Sequence, residues 1–235
     1  MIPLRDANPT RRTPVVTLGL IVACVVVFAW ELGLDATSAA ALETFLTDWG
    51  VVPAELLGAW ERGEFLSQET ATLVSSQFLH GGVVHLLGNM LYLWIFGNNI
   101  EDRLGRIGFI VFYLAGGVIA ALAQVAVDPA SDIPTVGASG AIAATLGGYL
   151  VLYPRARITT LVFLGFFYQL INVPAVIVLG FWFVLQLFDG LASLGAEAIG
   201  GVAFFAHIGG FVAGALAVRV FAAGRRGPAR PGPVG

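Results

Sequence analysis

The stretch Gly137-Ala138-Ser139-Gly140-Ala141-Ile142-Ala143-Ala144-Thr145-Leu146-Gly147-Gly148-Tyr149-Leu150-Val151-Leu152-Tyr153 carries no charge and stops at Pro154-Arg155. An uncharged run of this kind is a helix surrounded by lipid or by other apolar helices, and here it opens on a serine. The rest of the chain has the same character. Of 235 residues, 57% are hydrophobic and 11% charged, and the mean hydropathy is +0.86, which excludes an ordinary soluble domain. Six apolar spans are expected, at about residues 14–30, 81–97, 107–127, 139–153, 174–189 and 202–221, so the fold class is all-α: a polytopic six-helix membrane bundle.

The first span has no small-residue cleavage site to end it, so it is read as a retained helix. Residues 158–171 are also apolar, and fit an interfacial segment or an early part of the fifth helix, with a break at Asn172 and Pro174. The domain reading is a cytoplasmic N-terminal segment (1–13), a membrane domain (14–221) and a disordered cytoplasmic tail (222–235). The connection 31–80 is too long for a simple link and should be structured, with Trp49 and Trp60 as interfacial anchors. Cys24 is the single cysteine, so no disulfide is available, and there is no HExxH; no metal and no cofactor are expected.

All twelve basic residues are arginine, and all but Arg62 flank the spans on one set of connections. The positive-inside rule then puts both termini in the cytoplasm. The basic residues are scattered along that face, which gives no support to a nucleic-acid partner. Spans two, four and six run inward from the outer side, so Ser139, His207, His85 and Asn89 all lie near outer helix ends. At ~1.5 Å per residue His207 is roughly 8–10 Å into its helix and Asn89 roughly 12 Å into its own. The fourth span, about 15 residues long, covers roughly 22 Å of a ~30 Å core, so its outer end is submerged. Irregular backbone at that depth must be buried in protein or line a water-filled cavity, so residues 132–138 are expected to dip inward and admit water to Ser139.

Ionisable groups at membrane depth point to function. A serine hydroxyl is a weak nucleophile that needs a base, and His207 as neutral imidazole can supply one. His85 and Asn89, four residues apart, share a helix face and can donate to a developing oxyanion beside the Ser139 N–H. No carboxylate lies near His207 in the sequence, so a Ser-His dyad is expected. Small residues at Ser139, Ala143, Gly147, at Gly140, Ala144, Gly148, and at Ala206, Gly210, Gly214 would let the fourth and sixth helices approach closely.

Three pieces in this order, His80-Gly81-Gly82-Val83-Val84-His85-Leu86-Leu87-Gly88-Asn89-Met90, Gly137-Ala138-Ser139-Gly140 and Ala206-His207-Ile208-Gly209-Gly210 with Gly214, resemble the rhomboid intramembrane serine proteases. The resemblance covers about residues 15–221. It implies a bacterial-type six-helix core and cleavage of transmembrane protein substrates in or near the bilayer. It also implies Ser139 as nucleophile, His207 as base, and His85 with Asn89 at the oxyanion site. His80, Gly137, Gly140, Gly210 and Gly214 would be supporting residues, and bulky Trp182 and Phe188 of the fifth helix would form a lateral gate. It further implies an integral protein of the bacterial inner membrane whose partners are substrates and membrane lipids, with the site opening to the extracytoplasmic side. Two positions depart from the family pattern: Ala71-Thr72 stand where many members have Trp-Arg, and Ala143 where some have an aromatic that stacks on the histidine. Another group must then orient His207. The alternative is a catalytically silent rhomboid-like protein that binds membrane clients. Such members typically lack the serine or the histidine, whereas both stand here.

Overall fold

The computed structural model describes residues 1–164, 167–194 and 203–224. The membrane body consists of α1 (Val15–Thr37), α5 (Val83–Tyr92), α6 (Asn98–Val127), α7 (Ser139–Leu152), α8 (Ala175–Ser193) and α9 (Phe204–Phe221), with α2 (Ala39–Trp49), α3 (Pro53–Glu61) and α4 (Gln68–Ser75) between α1 and α5. A π-helical turn, Leu93–Gly97, joins α5 to α6. The resulting run Val83–Val127, together with α1, α8 and α9, is long and apolar enough to cross a membrane. That run breaks its helical course at Gly105, whose φ of 67° lies in the region glycine enters without steric cost, which divides it between the second and third expected spans. The six apolar spans therefore all form helix, and the chain is a polytopic membrane protein.

α7 is the central element. Every residue from Gly140 to Tyr149 is buried, and a helix apolar on all sides can only sit inside other helices. Its neighbours are α6 and α9 along its length and the α5–α6 turn, where Phe96 meets Tyr149 edge-on with ring centroids 5.0 Å apart. At 14 residues it spans ~21 Å.

Polar groups fix the positions of the outer helices. The Glu101 carboxylate of α6 accepts from Val16 N at 3.0 Å and from Thr17 N and Oγ1, both at 2.8 Å. It thus satisfies N–H groups that the start of α1 leaves free, and places an anion at the positive end of the helix dipole. At the other end α1 runs past the expected boundary to Thr37, carrying the buried Glu31 whose carboxylate accepts from His80 N.

The connection 31–80 is structured as expected. Val51, Leu56 and Leu73 form a small core with Ala121 and Val125 of α6. Trp60 turns inward, donating from Nε1 to Thr70 Oγ1 at 2.8 Å, while Trp49 stays exposed. In the absence of the Trp-Arg pair, Thr72 is buried and donates to Glu69 O, and Gln77 Nε2 reaches Leu114 O at 3.2 Å to tie the layer to α6. This layer also grips the segment entering α7: Val51 and Thr135 exchange backbone hydrogen bonds of 2.8 and 3.0 Å, and Gly137 N donates to Ser76 O at 2.9 Å.

The described residues of 158–171 are not an early part of the fifth helix. They belong to β2 (Arg157–Leu164) and β3 (Phe167–Pro174), an antiparallel hairpin joined on its outer side by β1 (Ile2–Asp6) from the N-terminal segment. The β-branched run Ile158-Thr159-Thr160 with Val162 prefers extended backbone, which explains the outcome. Asp6 anchors the sheet: its Oδ2 accepts from Asn99 Nδ2 at 2.6 Å and from Tyr149 OH at 2.9 Å. Of the expected disordered tail, residues 225–235 lie outside the described residues, as do 195–202 of the last outer connection.

Burial raises the Asp6 pKa to about 6, opposed by the donors Tyr149, Asn8 N and Asn99. A folded-state pKa above the unfolded value means that the docked strand binds a proton more tightly than the free one. Docking is therefore strengthened as pH falls through 6 and weakened as it rises. We expect hydrogen-exchange protection of the β1 amides, corrected for intrinsic rate, to fall on the order of tenfold between pH 5 and 8. Asp6→Asn should flatten that dependence; an equally steep profile in the variant would exclude Asp6 as its source.

Candidate active site

Ser139 is the first residue of α7, and its side chain points at α9. His207 lies one turn into α9, and its Nε2 is 2.8 Å from Ser139 Oγ. Both residues are half-buried. The approach depends on bare backbone at the contact of α7 and α9. A Cβ on Gly210 would strike the Gly140 carbonyl oxygen, one on Gly147 that of Phe211, and one on Gly214 that of Ala144. The small-residue rows of the two helices thus face one another. Ala143, on the same helix, is fully buried.

His85 and Asn89 are one turn apart on α5. The His85 ring presses on Gly137, where an added Cβ would lie 2.7 Å from Cε1 and 2.9 Å from Nε2, and 3.7 Å from Ser139 Oγ. The imidazole and the serine hydroxyl therefore flank the same few ångströms of space. Gly137 has a φ of +129°, so both its backbone angle and its neighbour require the absence of a side chain. Asn89 is buried, and its Nδ2 has no hydrogen-bond partner among the described residues. A buried amide donor without an acceptor is costly unless a ligand atom supplies one.

His80 is buried behind His85, the two rings meeting edge-on with centroids 5.3 Å apart. Its N–H donates to Glu31 and its Nδ1 lies 3.2 Å from Phe78 O. Burial, reinforced by His85, lowers its pKa to about 4, so it is neutral at physiological pH. It braces the loop entering α5.

Two residues of α8 complete the surroundings of His207. Gln186, one of the few polar side chains of that helix and buried, lies with Oε1 2.6 Å from His207 Nδ1. Trp182, one turn earlier, lays its indole beside the imidazole, centroids 5.9 Å apart at 39°. Of the two residues expected to form a gate, Trp182 lies against the histidine and Phe188 is 67% exposed on α8. Gln186 escapes a sequence search for a carboxylate partner of His207; the signal that marks it is a lone amide four residues after a tryptophan in a mostly apolar span.

A family model for the Rhomboid domain matches residues 67–224, from the outer loop to the end of α9. The chain is similar to the Rhomboid protease GluP of Bacillus subtilis, 34% identical over 166 residues, which are 71% of this chain and 31% of that protein. It is also similar to RHOMBOID-like protein 4 of Arabidopsis thaliana, at 36% over 151 residues, 61% of this chain and 32% of that one. A third relative is the mitochondrial Presenilin-associated rhomboid-like protein A of Danio rerio, at 36% over 88 residues, 37% of this chain and 23% of that one. The chain spans a third or less of the length of these relatives. The matched region contains Ser139, His207, His85 and Asn89 together, and the chain belongs to the rhomboid family.

Proposed function

We propose that this protein is an intramembrane serine endopeptidase that hydrolyses peptide bonds in or near the transmembrane segments of membrane-protein substrates. The observation that carries the reading is the 2.8 Å contact of Ser139 Oγ with His207 Nε2 at the outer end of two helices packed backbone to backbone. In the first step Nε2 takes the Oγ proton as the oxygen attacks the scissile carbonyl. Negative charge then develops on the carbonyl oxygen. The orphaned Asn89 Nδ2, the His85 ring and the Ser139 N–H, one of those a helix start leaves free, are the donors available for it. The imidazolium next gives its proton to the departing amine, leaving an acyl-serine. In the second half His207 removes a proton from water as the water attacks the ester, then returns that proton to Oγ as the acyl–oxygen bond breaks, releasing the carboxylic acid product and restoring Ser139.

In this reading both termini are cytoplasmic and the site opens toward the extracytoplasmic side, which the arginine distribution supports. Substrate helices enter laterally between α5 and α8, with the exposed Phe188 on the path, and unwind locally to present an extended bond. The test is reconstitution in liposomes with a model transmembrane substrate, together with labelling by a fluorophosphonate in the presence and absence of a chelator. Cleavage and labelling of Ser139, both insensitive to the chelator, are expected. Substrate binding without cleavage or labelling would replace the protease by a client-binding protein.

A further inference from the structure

Gln186 is an unusual residue for its place. α8 reads Ala-Val-Ile-Val-Leu-Gly-Phe-Trp-Phe-Val-Leu-Gln-Leu-Phe-Asp-Gly-Leu-Ala-Ser, and Gln186 is buried within it with its carboxamide oxygen directed at His207. The oxygen can only accept, so the 2.6 Å contact requires a proton on Nδ1 of the imidazole. A neutral imidazole with Nδ1–H has a lone pair on Nε2, and it is Nε2 that faces Ser139 Oγ. The reverse tautomer would direct N–H at the hydroxyl oxygen and could not take its proton. Trp182, on the same face of α8 one turn away, closes one side of the ring.

Resting on the protease reading, we propose that Gln186 is the positioning residue of this site, holding His207 in the tautomer and rotamer in which it serves Ser139 as base. It fills the place left by the missing carboxylate and by the alanine at 143. Being neutral, it fixes the proton on Nδ1 without adding the charge stabilisation that a carboxylate gives an imidazolium. A Ser-His pair with an amide behind it should therefore behave differently from one with an acid behind it.

Gln186→Leu and Gln186→Glu separate positioning from mere packing between α8 and α9. The leucine variant keeps bulk and loses the acceptor. Its kcat is expected to fall roughly 10- to 100-fold with KM nearly unchanged, since only proton transfer suffers. The glutamate variant keeps the acceptor and adds charge, so cleavage should be retained and the acid limb of its pH–rate profile should move to higher pH. A leucine variant with unchanged kcat and pH profile, or a glutamate variant whose profile does not move, would overturn the assignment. A second readout does not depend on cleavage. The chain has three histidines, so the 15N shifts of His207 are assignable by comparison with His207→Ala. They should show Nδ1–H in the parent and a tautomer mixture in Gln186→Leu. Absence of cleavage by the parent would count against the protease reading alone; an unaltered tautomer in the leucine variant would count against Gln186 alone.

Discussion

Ser139→Ala and His207→Ala are each expected to lower cleavage of a reconstituted transmembrane substrate by about 10⁴-fold or more, to the background of the assay. The serine variant has no nucleophile. The histidine variant keeps the hydroxyl, but nothing else lies within hydrogen-bond distance of Oγ to take its proton among the described residues. Because the two act as one unit, the double variant should be no worse than either single one. Fluorophosphonate labelling should vanish in Ser139→Ala and be strongly slowed in His207→Ala. Both variants should remain folded, since Ser139 and His207 are half-buried and the helix contact is made by backbone; circular dichroism and thermal unfolding in detergent check this. Undiminished cleavage in both would refute the mechanism.

The parts of the site that are legible in the sequence are those whose chemistry shows in one residue and its depth. Ser139, His207, His85 and Asn89 are polar groups in apolar spans, and the positive-inside reading of the arginines puts them at one expected depth. Gln186 has the same property but no recognised partner type, because a neutral amide does not suggest a triad, and its contact with His207 crosses between two helices. Trp182 is legible as bulk but not as direction: a residue's position on α8 does not say whether its ring faces lipid or a neighbour. The sheet is hidden for a different reason. β1 pairs with a strand more than 150 residues away, and an apolar extended segment beside a membrane helix has the composition of an interfacial one. The shortness of α7 is visible in the sequence, and its outer end is where the outer-loop layer holds the chain through Ser76 and Val51. Helix count follows from hydrophobic length alone, whereas side-chain aim follows from packing that the pattern does not encode.

Gly214→Ala should be the most damaging single methyl that can be added to the helices, although the residue is remote from the chemistry. In lipid no hydrophobic drive brings helices together, so α7 and α9 are held by close van der Waals packing and any added atom at their contact acts directly on the separation. At Gly214 the new Cβ would meet the Ala144 carbonyl oxygen, carbon and Cα, all backbone, which cannot swing aside as a side chain would. The helices must move apart by about 1 Å or more, at a cost of about 1–3 kcal/mol for an overpacked interior. Both members of the dyad ride on these helices, one on each, so the 2.8 Å contact lengthens with the interface. A misplacement of ~1 Å can cost ~10²-fold in rate, and the lost stability adds to it. Gly19→Ala is the control: it adds the same methyl to α1, where nothing lies within 4 Å, and should leave activity unchanged and the melting temperature equal to the parent's or slightly higher. Measured side by side in the liposome assay and by thermal unfolding, the two should separate by at least this hundredfold. If Gly214→Ala instead matched the parent in both, α7 and α9 would be able to relax around a methyl without disturbing the site. The dyad distance would then be set by the grip on His207 from α8 and not by the bare backbone between the two helices.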